Sequence, residues 1–379
     1  MSEEKIYTAA IVGLGRIGYS LGLDKKREQP ASHTMALEGN RRIKIIAGCD
    51  KNAEACAEWR NHIPSAKTFS DSSLMYKNIN PDIITIAVNE DAHFEEAIKA
   101  IEAKPRLIIL EKPVATNLND ARKIQECADR NGVPVLVNHE RRFSDDYAAA
   151  KSYMSEIGPL QEIQASLYSG MAVYIPGEDQ TGAYSLLHDG THLIDTILYF
   201  LEDINSPSQL IAIAEKESST QKKDDNDIFF KNRNADSKTI MANSLLKRPV
   251  ISGIVIDEQG KTRQLNAFYV THSCPSVNVF MSGRSLFFGF EIALTGTDGR
   301  ICIGNGYCKL YKAGESALYE GFKSLVADTE THIPKKTYYF ANMIKNAVDF
   351  LDGKADLKST LQTGINSLAI LEEIKRKLV

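Results

Sequence analysis

A glycine-rich turn near the start of the chain constrains the fold more than any other feature. An apolar run over residues 7–12 leads directly into Gly13-Leu14-Gly15-Arg16-Ile17-Gly18, which has the spacing G-x-G-x-x-G and is followed by a helix-compatible sequence. Gly13 allows a backbone angle that side chains disfavour, Gly15 lets the main chain approach a pyrophosphate, and Gly18 lets a helix pack against the strand. Free N–H groups at the start of that helix face the phosphates. The pattern predicts a dinucleotide site; a turn without ligand and a methyltransferase-type nucleotide site are the alternatives.

An acidic residue ends the next apolar run, over residues 43–50. Asp50 can accept hydrogen bonds from both hydroxyls of the adenosine ribose and would repel a 2′-phosphate, so it favours NAD over NADP, although Lys51 beside it weakens that preference. The alternative is that Asp50 caps a helix over residues 52–61. Asp50 lies further from the glycines than the usual ~20 residues. The excess falls in the polar residues 23–33, which we expect to form a surface loop after the first helix.

Along the first 143 residues, apolar strands alternate with amphipathic helices. This alternation predicts an α/β Rossmann domain, 1–143, built on a doubly wound parallel sheet. The expected strands are 9–12, 44–49, 83–88, 107–110 and 133–137, and the expected helices are 53–61, 93–103 and 119–130.

The pattern changes after residue 143 to longer strands closed by turn signals. It predicts a second, α+β domain, 144–379, with a large, mostly antiparallel open sheet that binds substrate and supports oligomerisation. Residues 216–238 are polar with mixed charge and are expected to form a mobile loop. The tail predicts two helices, 338–351 and 357–378, which pack back on the body. The expected strands are 163–174, 210–214, 250–256, 286–296 and 300–303.

Composition excludes several classes of protein. The 379 residues carry a formal net charge of -4, too small to indicate a nucleic-acid partner or a membrane surface. No apolar run approaches the ~20 residues of a membrane span, and no signal peptide precedes the first strand. The six cysteines form no C-x-x-C pair. We therefore expect reduced thiols and a cytoplasmic location.

A polar stripe marks the segment 185–199. His188, His192, Asp195 and Tyr199 recur at helical spacing, and an imidazole near a carboxylate suits a general base. A His-x-x-x-His pair near an aspartate is also a possible zinc site, but the sequence places no further ligand, so we predict no metal. A helix whose polar residues merely form hydrogen bonds is the third alternative. Five further histidines lie outside the stripe and are expected at the surface or in local hydrogen bonds: His33, His62, His139, His272 and His332.

Leu110-Glu111-Lys112-Pro113 ends a predicted parallel strand, and Lys112 points to the edge where such sheets bind ligands. With this motif the chain resembles the Gfo/Idh/MocA family of NAD(P)-dependent oxidoreductases over nearly its whole length. The resemblance rests also on the glycine turn, on 86–93 ending in His93, on 138–143, which contains Arg142, on 182–201 and on 289–299. It implies that the Glu-Lys-Pro motif closes the strand beside the nicotinamide, that the bond before Pro113 is cis, and that no metal is used.

The resemblance also implies roles for individual residues. Lys112 and His192 form the proton-transfer pair. The family more often has aspartate where His188 stands, so His188, Asp189 and Asp195 are all candidates for orienting His192. The candidate cofactor ligands are Gly13, Leu14, Gly15, Arg16, Ile17, Gly18, Asp50, Ala87, Val88, Asn89, His93, Glu111, Lys112 and Arg142; the candidate substrate ligands are Lys112, Asp189, His192 and Tyr174.

Together these features predict an NAD-dependent dehydrogenase or reductase. Its substrate would be a secondary alcohol or ketone of a sugar, nucleotide sugar or cyclitol. An open antiparallel sheet predicts a homodimer or homotetramer. A non-catalytic NAD(P)-binding regulator or sensor is the alternative function, and a sugar-modifying enzyme that keeps its cofactor tightly bound is a third.

Overall fold

The computed structural model describes residues 4–202 and 246–378. The chain divides into two compact units, the first formed by 1–149, 175–195 and 334–372 and the second by 150–174, 196–333 and 373–379. The strand expected at 210–214 and the polar segment 216–238 lie outside the described residues. The division into domains 1–143 and 144–379 stays a prediction.

The first unit contains a six-stranded, fully parallel sheet, which confirms the doubly wound α/β prediction. Its strands lie in the order β3-β2-β1-β4-β5-β6, so the order reverses direction between β1 and β4 and opens a crevice at their carboxyl ends. The short β3 is absent from the sequence prediction. The strands are β1 (Tyr7–Val12), β2 (Ile43–Cys49), β3 (Lys67–Phe69), β4 (Ile83–Ile86), β5 (Leu107–Leu110) and β6 (Val135–Val137).

Helices cover the sheet because each buries an apolar side against it. Trp59 and Phe340 are fully buried in one core with Tyr7 of β1. The Tyr7 hydroxyl donates to Asp352 Oδ1 at 2.7 Å, which ties the C-terminal segment to β1. The α-helices among the described residues are α1 (His33–Glu38), α2 (Ala53–His62), α3 (Ser72–Asn78), α4 (His93–Glu102), α5 (Leu118–Asn131), α6 (Asp145–Tyr153), α7 (Ser185–His188), α8 (Gly190–Leu201), α9 (Tyr339–Leu351) and α10 (Leu361–Lys375).

The helix expected directly after the glycine turn is wrong as a continuous element. One helical turn and a 3-10 helix, Ser20–Leu23, follow the glycines, and α1 begins only at His33. The chain then returns to the turn, where the N–H of His33 donates to Ile17 O at 3.0 Å and that of Thr34 donates to Gly18 O at 2.9 Å. Residues 23–33, here called the polar insertion, therefore interrupt the helix. The chain becomes helical again at α1, whose first residues are hydrogen-bonded to Ile17 and Gly18.

The second unit contains an eight-stranded sheet in the order β14-β13-β12-β11-β7-β10-β9-β8. Among the strands that the structure describes, every pair is antiparallel except β10 with β7, which confirms the mostly antiparallel prediction. The strand expected over 163–174 ends at Tyr168. No helix among the described residues is long and apolar enough to cross a membrane. The strands are β7 (Leu160–Tyr168), β8 (Val250–Ile256), β9 (Thr262–Tyr269), β10 (Ser276–Ser282), β11 (Gly289–Gly296), β12 (Gly299–Gly304), β13 (Tyr307–Glu315) and β14 (Lys323–Ala327).

Candidate active site

A cavity of about 770 Å³ lies in the first unit at the carboxyl ends of the parallel strands. Its volume falls in the range of small-molecule and cofactor sites. The residues that line it include Gly15, Asp50, Lys112, His188 and His192. Predicted cofactor and catalytic residues that are far apart in sequence therefore share one cavity.

The glycine turn is as close-packed as the motif predicts. Gly13 has a φ of +93°, and a Cβ there would meet Ala87 O at 2.4 Å. A Cβ at Gly18 would meet Gly13 O at 2.0 Å, whereas one at Gly15 would meet nothing within 4 Å. Gly13 and Gly18 are therefore required by the fold, and Gly15 leaves the main chain open to the cavity, as a pyrophosphate requires. Arg16 and Ile17 line the cavity beside it, and Leu14 is buried.

Asp50 braces this turn. Its Oδ2 accepts the N–H of Leu14 at 2.7 Å and its Oδ1 accepts the N–H of Asn52 at 2.8 Å. The alternative in which Asp50 caps the next helix is wrong, because the Asn52 side chain caps α2 by accepting from Glu54 N and Ala55 N. Each Asp50 oxygen keeps acceptor capacity, since a carboxylate oxygen accepts more than one hydrogen bond. The half-buried carboxylate also lines the cavity.

His93 joins the two loops that follow β4 and β5. Its Nδ1 lies 2.5 Å from Pro113 O and its Nε2 lies 3.1 Å from Val88 O, and the ring is buried. The bond between Lys112 and Pro113 is cis. His93 therefore fixes the backbone on which Lys112 and the cavity-lining Ala87, Val88 and Asn89 are carried.

Lys112 reaches across to the segment that carries the histidines. Its Nζ donates to the main-chain oxygen of His188 at 2.9 Å. The His188 ring nitrogen Nδ1 pairs with the carboxylate of Glu90, which stands just after β4. Burial acts to raise the pKa of Glu90, but the hydrogen bond from His188 helps to lower it to about 2. Glu90 is thus a carboxylate, and it was missed because its partner lies 98 positions away.

His192 faces the same cavity from the first turn of α8. Its pKa lies well below the ordinary value. The main cause is loss of solvation on burial, which disfavours the charged imidazolium, and the positive charges of Lys112 and Arg141 add to it. The imidazole is therefore neutral at pH 7 and able to accept a proton. The His139 ring lies edge-on to it, with the ring centroids 6.5 Å apart.

Asp195 lies in a buried cluster on the same helix. Its Oδ2 accepts from Arg142 Nε at 2.8 Å, its Oδ1 accepts from the Ser367 hydroxyl at 3.3 Å, and His139 Nδ1 stands 3.4 Å away. Burial lowers the pKa of His139 to about 4. Arg142 and Asp195 are only 2% and 1% exposed at their side chains, so they form a buried ion pair. The predicted contact of Arg142 with the cofactor stays a prediction.

The remaining predicted residues are spread over the molecule. Asp189 stands half-buried between α7 and α8, and its main-chain oxygen accepts the N–H of His192 at 3.1 Å. Tyr174 belongs to the second unit, where it is buried and forms an isolated bridge with Thr262. Arg27 and Glu140 also line the cavity but were not predicted as site residues: Arg27 lies in the polar segment 23–33, and only Arg142 was chosen from the motif 138–143. Among the described residues, no three His, Cys, Asp or Glu side chains are grouped as metal ligands.

Comparison with known families gives one match to the first unit. Residues 7–139 match the family described as "Oxidoreductase family, NAD-binding Rossmann fold", the Gfo/Idh/MocA family. These residues include the glycine turn, Asp50, Lys112 and the cluster residue His139.

Curated relatives match over part of their length. Inositol 2-dehydrogenase of Paracoccus denitrificans is 29% identical over 154 residues, which are 40% of this chain and 44% of that enzyme. D-glucoside 3-dehydrogenase of Escherichia coli is 23% identical over 167 residues, which are 42% of this chain and 47% of that one. The chain thus matches less than half the length of these two relatives.

Solved structures share the whole fold. A dehydrogenase from Chromobacterium violaceum has a TM-score of 0.72 at 14% identity, and the match covers 98% of this chain and 95% of the dehydrogenase. The WlbA dehydrogenase from Bordetella pertussis, in complex with NADH and UDP-GlcNAcA, has a TM-score of 0.68 at 15% identity. The match covers 100% of this chain and 96% of WlbA. At such identities the likeness supports the fold alone. By the match to its first unit, this chain carries in residues 7–139 the NAD-binding Rossmann fold of the Gfo/Idh/MocA oxidoreductase family.

Proposed function

We propose that the protein is an NAD-dependent oxidoreductase that transfers a hydride between the nicotinamide and a secondary alcohol or ketone of a sugar, nucleotide sugar or cyclitol. The observation that carries the proposal is the single cavity lined by the glycine turn and Asp50 and also by Lys112, His188 and His192. The relatives named inositol 2-dehydrogenase and D-glucoside 3-dehydrogenase support this substrate class.

The residues divide between holding the cofactor and moving a proton. Gly15 leaves room for the pyrophosphate, and Asp50 offers acceptors to the adenosine ribose. When bound, NAD supplies the hydride acceptor or donor. Neutral His192 takes the proton of the substrate hydroxyl, and Lys112 donates a hydrogen bond to the same oxygen. In the reverse direction His192 returns the proton.

Turnover by the purified protein tests the proposal. It would be incubated with NAD or NADP and a panel of sugars, nucleotide sugars and cyclitols, and formation of NADH or NADPH would be followed by absorbance. Cofactor binding without turnover on any substrate would favour the regulator or sensor. A stoichiometric cofactor released only on denaturation would favour an enzyme that keeps its cofactor bound.

Asp50→Ser should narrow or reverse the preference for NAD over NADP. The serine lacks the charge that repels a 2′-phosphate, and Lys51 remains beside it. Both affinities should fall, because Leu14 N–H loses its acceptor, so the ratio of the two dissociation constants is the readout. Titration of the wild type with both cofactors provides the reference. Tighter binding of NADP than of NAD by the wild type would contradict the assignment.

His188→Ala and Glu90→Gln test whether this pair orients groups in the site. If His188, held by Glu90, contacts substrate or orients Lys112, each variant should lower kcat/KM by roughly 10-fold or more. Both variants should lower kcat/KM, since His188→Ala removes the pair and Glu90→Gln replaces its charged acceptor with a neutral amide oxygen. A full loss in His188→Ala with none in Glu90→Gln would mean that Glu90 has no positioning role. A negligible loss in both would transfer the orienting role to Asp189 or Asp195.

We also propose that the protein is a homodimer or homotetramer built through the second unit. Large apolar side chains are exposed on both outer strands of the eight-stranded sheet, at Val250 and Ile256 of β8 and at Leu325 and Val326 of β14. Exposed apolar groups on an antiparallel sheet are typical of interaction surfaces. Sedimentation at micromolar concentration should give a mass of two or four chains; a mass of one chain would overturn the proposal.

A further inference from the structure

His33, the last residue of the polar insertion, is a buried histidine that lies next to the candidate site but does not line its cavity. It is the first residue of α1, and its ring has no exposed surface. Its main-chain N–H is bound to Ile17 O, and its ring packs edge-on against Phe340 at a centroid distance of 5.1 Å. The ring is therefore held in one place, although nothing in the local sequence marks it.

The ring is directed at the carboxylate of Glu111, which comes just after β5. His33 Nε2 lies 2.7 Å from Glu111 Oε1, and the side-chain amide of Asn138 donates to the same oxygen at 2.6 Å. The other oxygen, Oε2, lies 3.3 Å from the main-chain N–H of Lys112. Since a carboxylate only accepts, His33 Nε2 carries the hydrogen. Glu111 and Asn138 line the cavity, whereas His33 supports Glu111 from behind.

Three ionisable groups act on Glu111 from the segments around it. These are His33 of α1, Lys112 next to it in the chain, and His139 after β6. Burial acts to raise the pKa of Glu111, but the hydrogen bond and charge of His33 are the largest opposing effects, and the pKa is lowered overall. Glu111 is thus a fixed negative charge on the wall beside Lys112.

We propose that His33 is a positioning residue that keeps Glu111 an oriented carboxylate and so biases the site toward the oxidised cofactor. The inference rests on the proposed function. The oxidised nicotinamide is cationic and the reduced one is neutral, so a fixed carboxylate on the cavity wall favours the oxidised form. The polar insertion, through His33, would then set the relative affinity of the site for the oxidised and the reduced cofactor.

The test is the ratio of the dissociation constants of NADH and NAD+, measured by titration between about pH 6 and about pH 8.5. In the wild type Glu111 stays ionised, and the ratio should stay constant. In His33→Leu the pKa of Glu111 rises, so the ratio should fall on the order of tenfold at the acidic end and recover at the alkaline end. His33→Phe keeps an aromatic ring against Phe340 but cannot donate a hydrogen bond, so its ratio should change with pH as in His33→Leu. It provides the test if the leucine variant does not fold.

Matched variants separate this role from general damage. His33→Gln keeps a donor but carries no charge, so at the acidic end its ratio should lie between those of the wild type and His33→Leu. Glu111→Gln should lower the ratio at every pH. His62→Leu removes a histidine from a more exposed pair with Glu38, at 2.8 Å, and should leave the ratio unchanged. A wild-type ratio in the folded His33→Leu or His33→Phe variant would overturn the inference alone. A wild type that binds neither cofactor would overturn it together with the proposed function.

Discussion

Replacing His192 with alanine should lower kcat by roughly 10²- to 10⁴-fold, the usual contribution of a positioned acid–base group. Lys112→Met should produce a loss of the same order, because it removes the ammonium but keeps the apolar stem. Neither side chain belongs to the glycine turn or the buried core, so the NAD dissociation constant and the melting temperature should stay near wild type. Steady-state kinetics on an identified substrate and NAD titration provide the measurements.

The pH profile gives an independent check on His192. As the base in alcohol oxidation it must be unprotonated, and its lowered pKa keeps it so below the ordinary histidine value of about 6.5. Wild-type kcat/KM should therefore remain constant as the pH falls through 6.5 and decline only below it. His62→Ala removes a half-exposed histidine that does not line the cavity; it serves as the control and should leave kcat and the profile unchanged. Full turnover in both His192→Ala and Lys112→Met would show that the site is wrongly assigned.

The parallel sheet could be predicted because its signal is local. The buried strands β2, β4 and β5 are short apolar runs, and each is followed by an α-helix, so the alternation specifies the fold class without knowledge of contacts. The first helix was mispredicted for the opposite reason. Its interruption depends on Thr34 and His33 bonding back to Gly18 and Ile17, and no pattern within the insertion indicates that return.

The same distinction applies to the candidate site. The glycine turn, Asp50 and Lys112 follow strands at the edge where parallel sheets bind ligands, so their placement could be inferred from position alone. The pair of His188 with Glu90 joins residues 98 positions apart, and that of His33 with Glu111 joins residues 78 apart. Such pairs form because the topology of the fold brings distant loops together. A single sequence does not indicate which loops will meet.

Arg142→Leu should destabilise the protein by about 3–5 kcal/mol, the usual cost of leaving one member of a buried ion pair uncompensated. Asp195 would keep the Ser367 hydroxyl and its proximity to His139 but would lose the cation at 2.8 Å. Urea unfolding gives the free energy, provided that the slope of the transition is unchanged. Arg41→Leu is the matched control, because Arg41 pairs with Glu4 at the same distance but at 82% exposure, and it should cost less than about 1 kcal/mol.

Removing both partners separates the ion pair from the loss of the arginine itself. Arg142→Leu with Asp195→Leu should be more stable than Arg142→Leu alone, since no buried charge then lacks its partner. Equal costs for Arg142→Leu and Arg41→Leu would contradict the structural role. NAD affinity measured on the folded Arg142→Leu variant then decides its predicted cofactor contact: an affinity near wild type would assign Arg142 to the support of α8, whereas a large loss with little destabilisation would assign it to the cofactor.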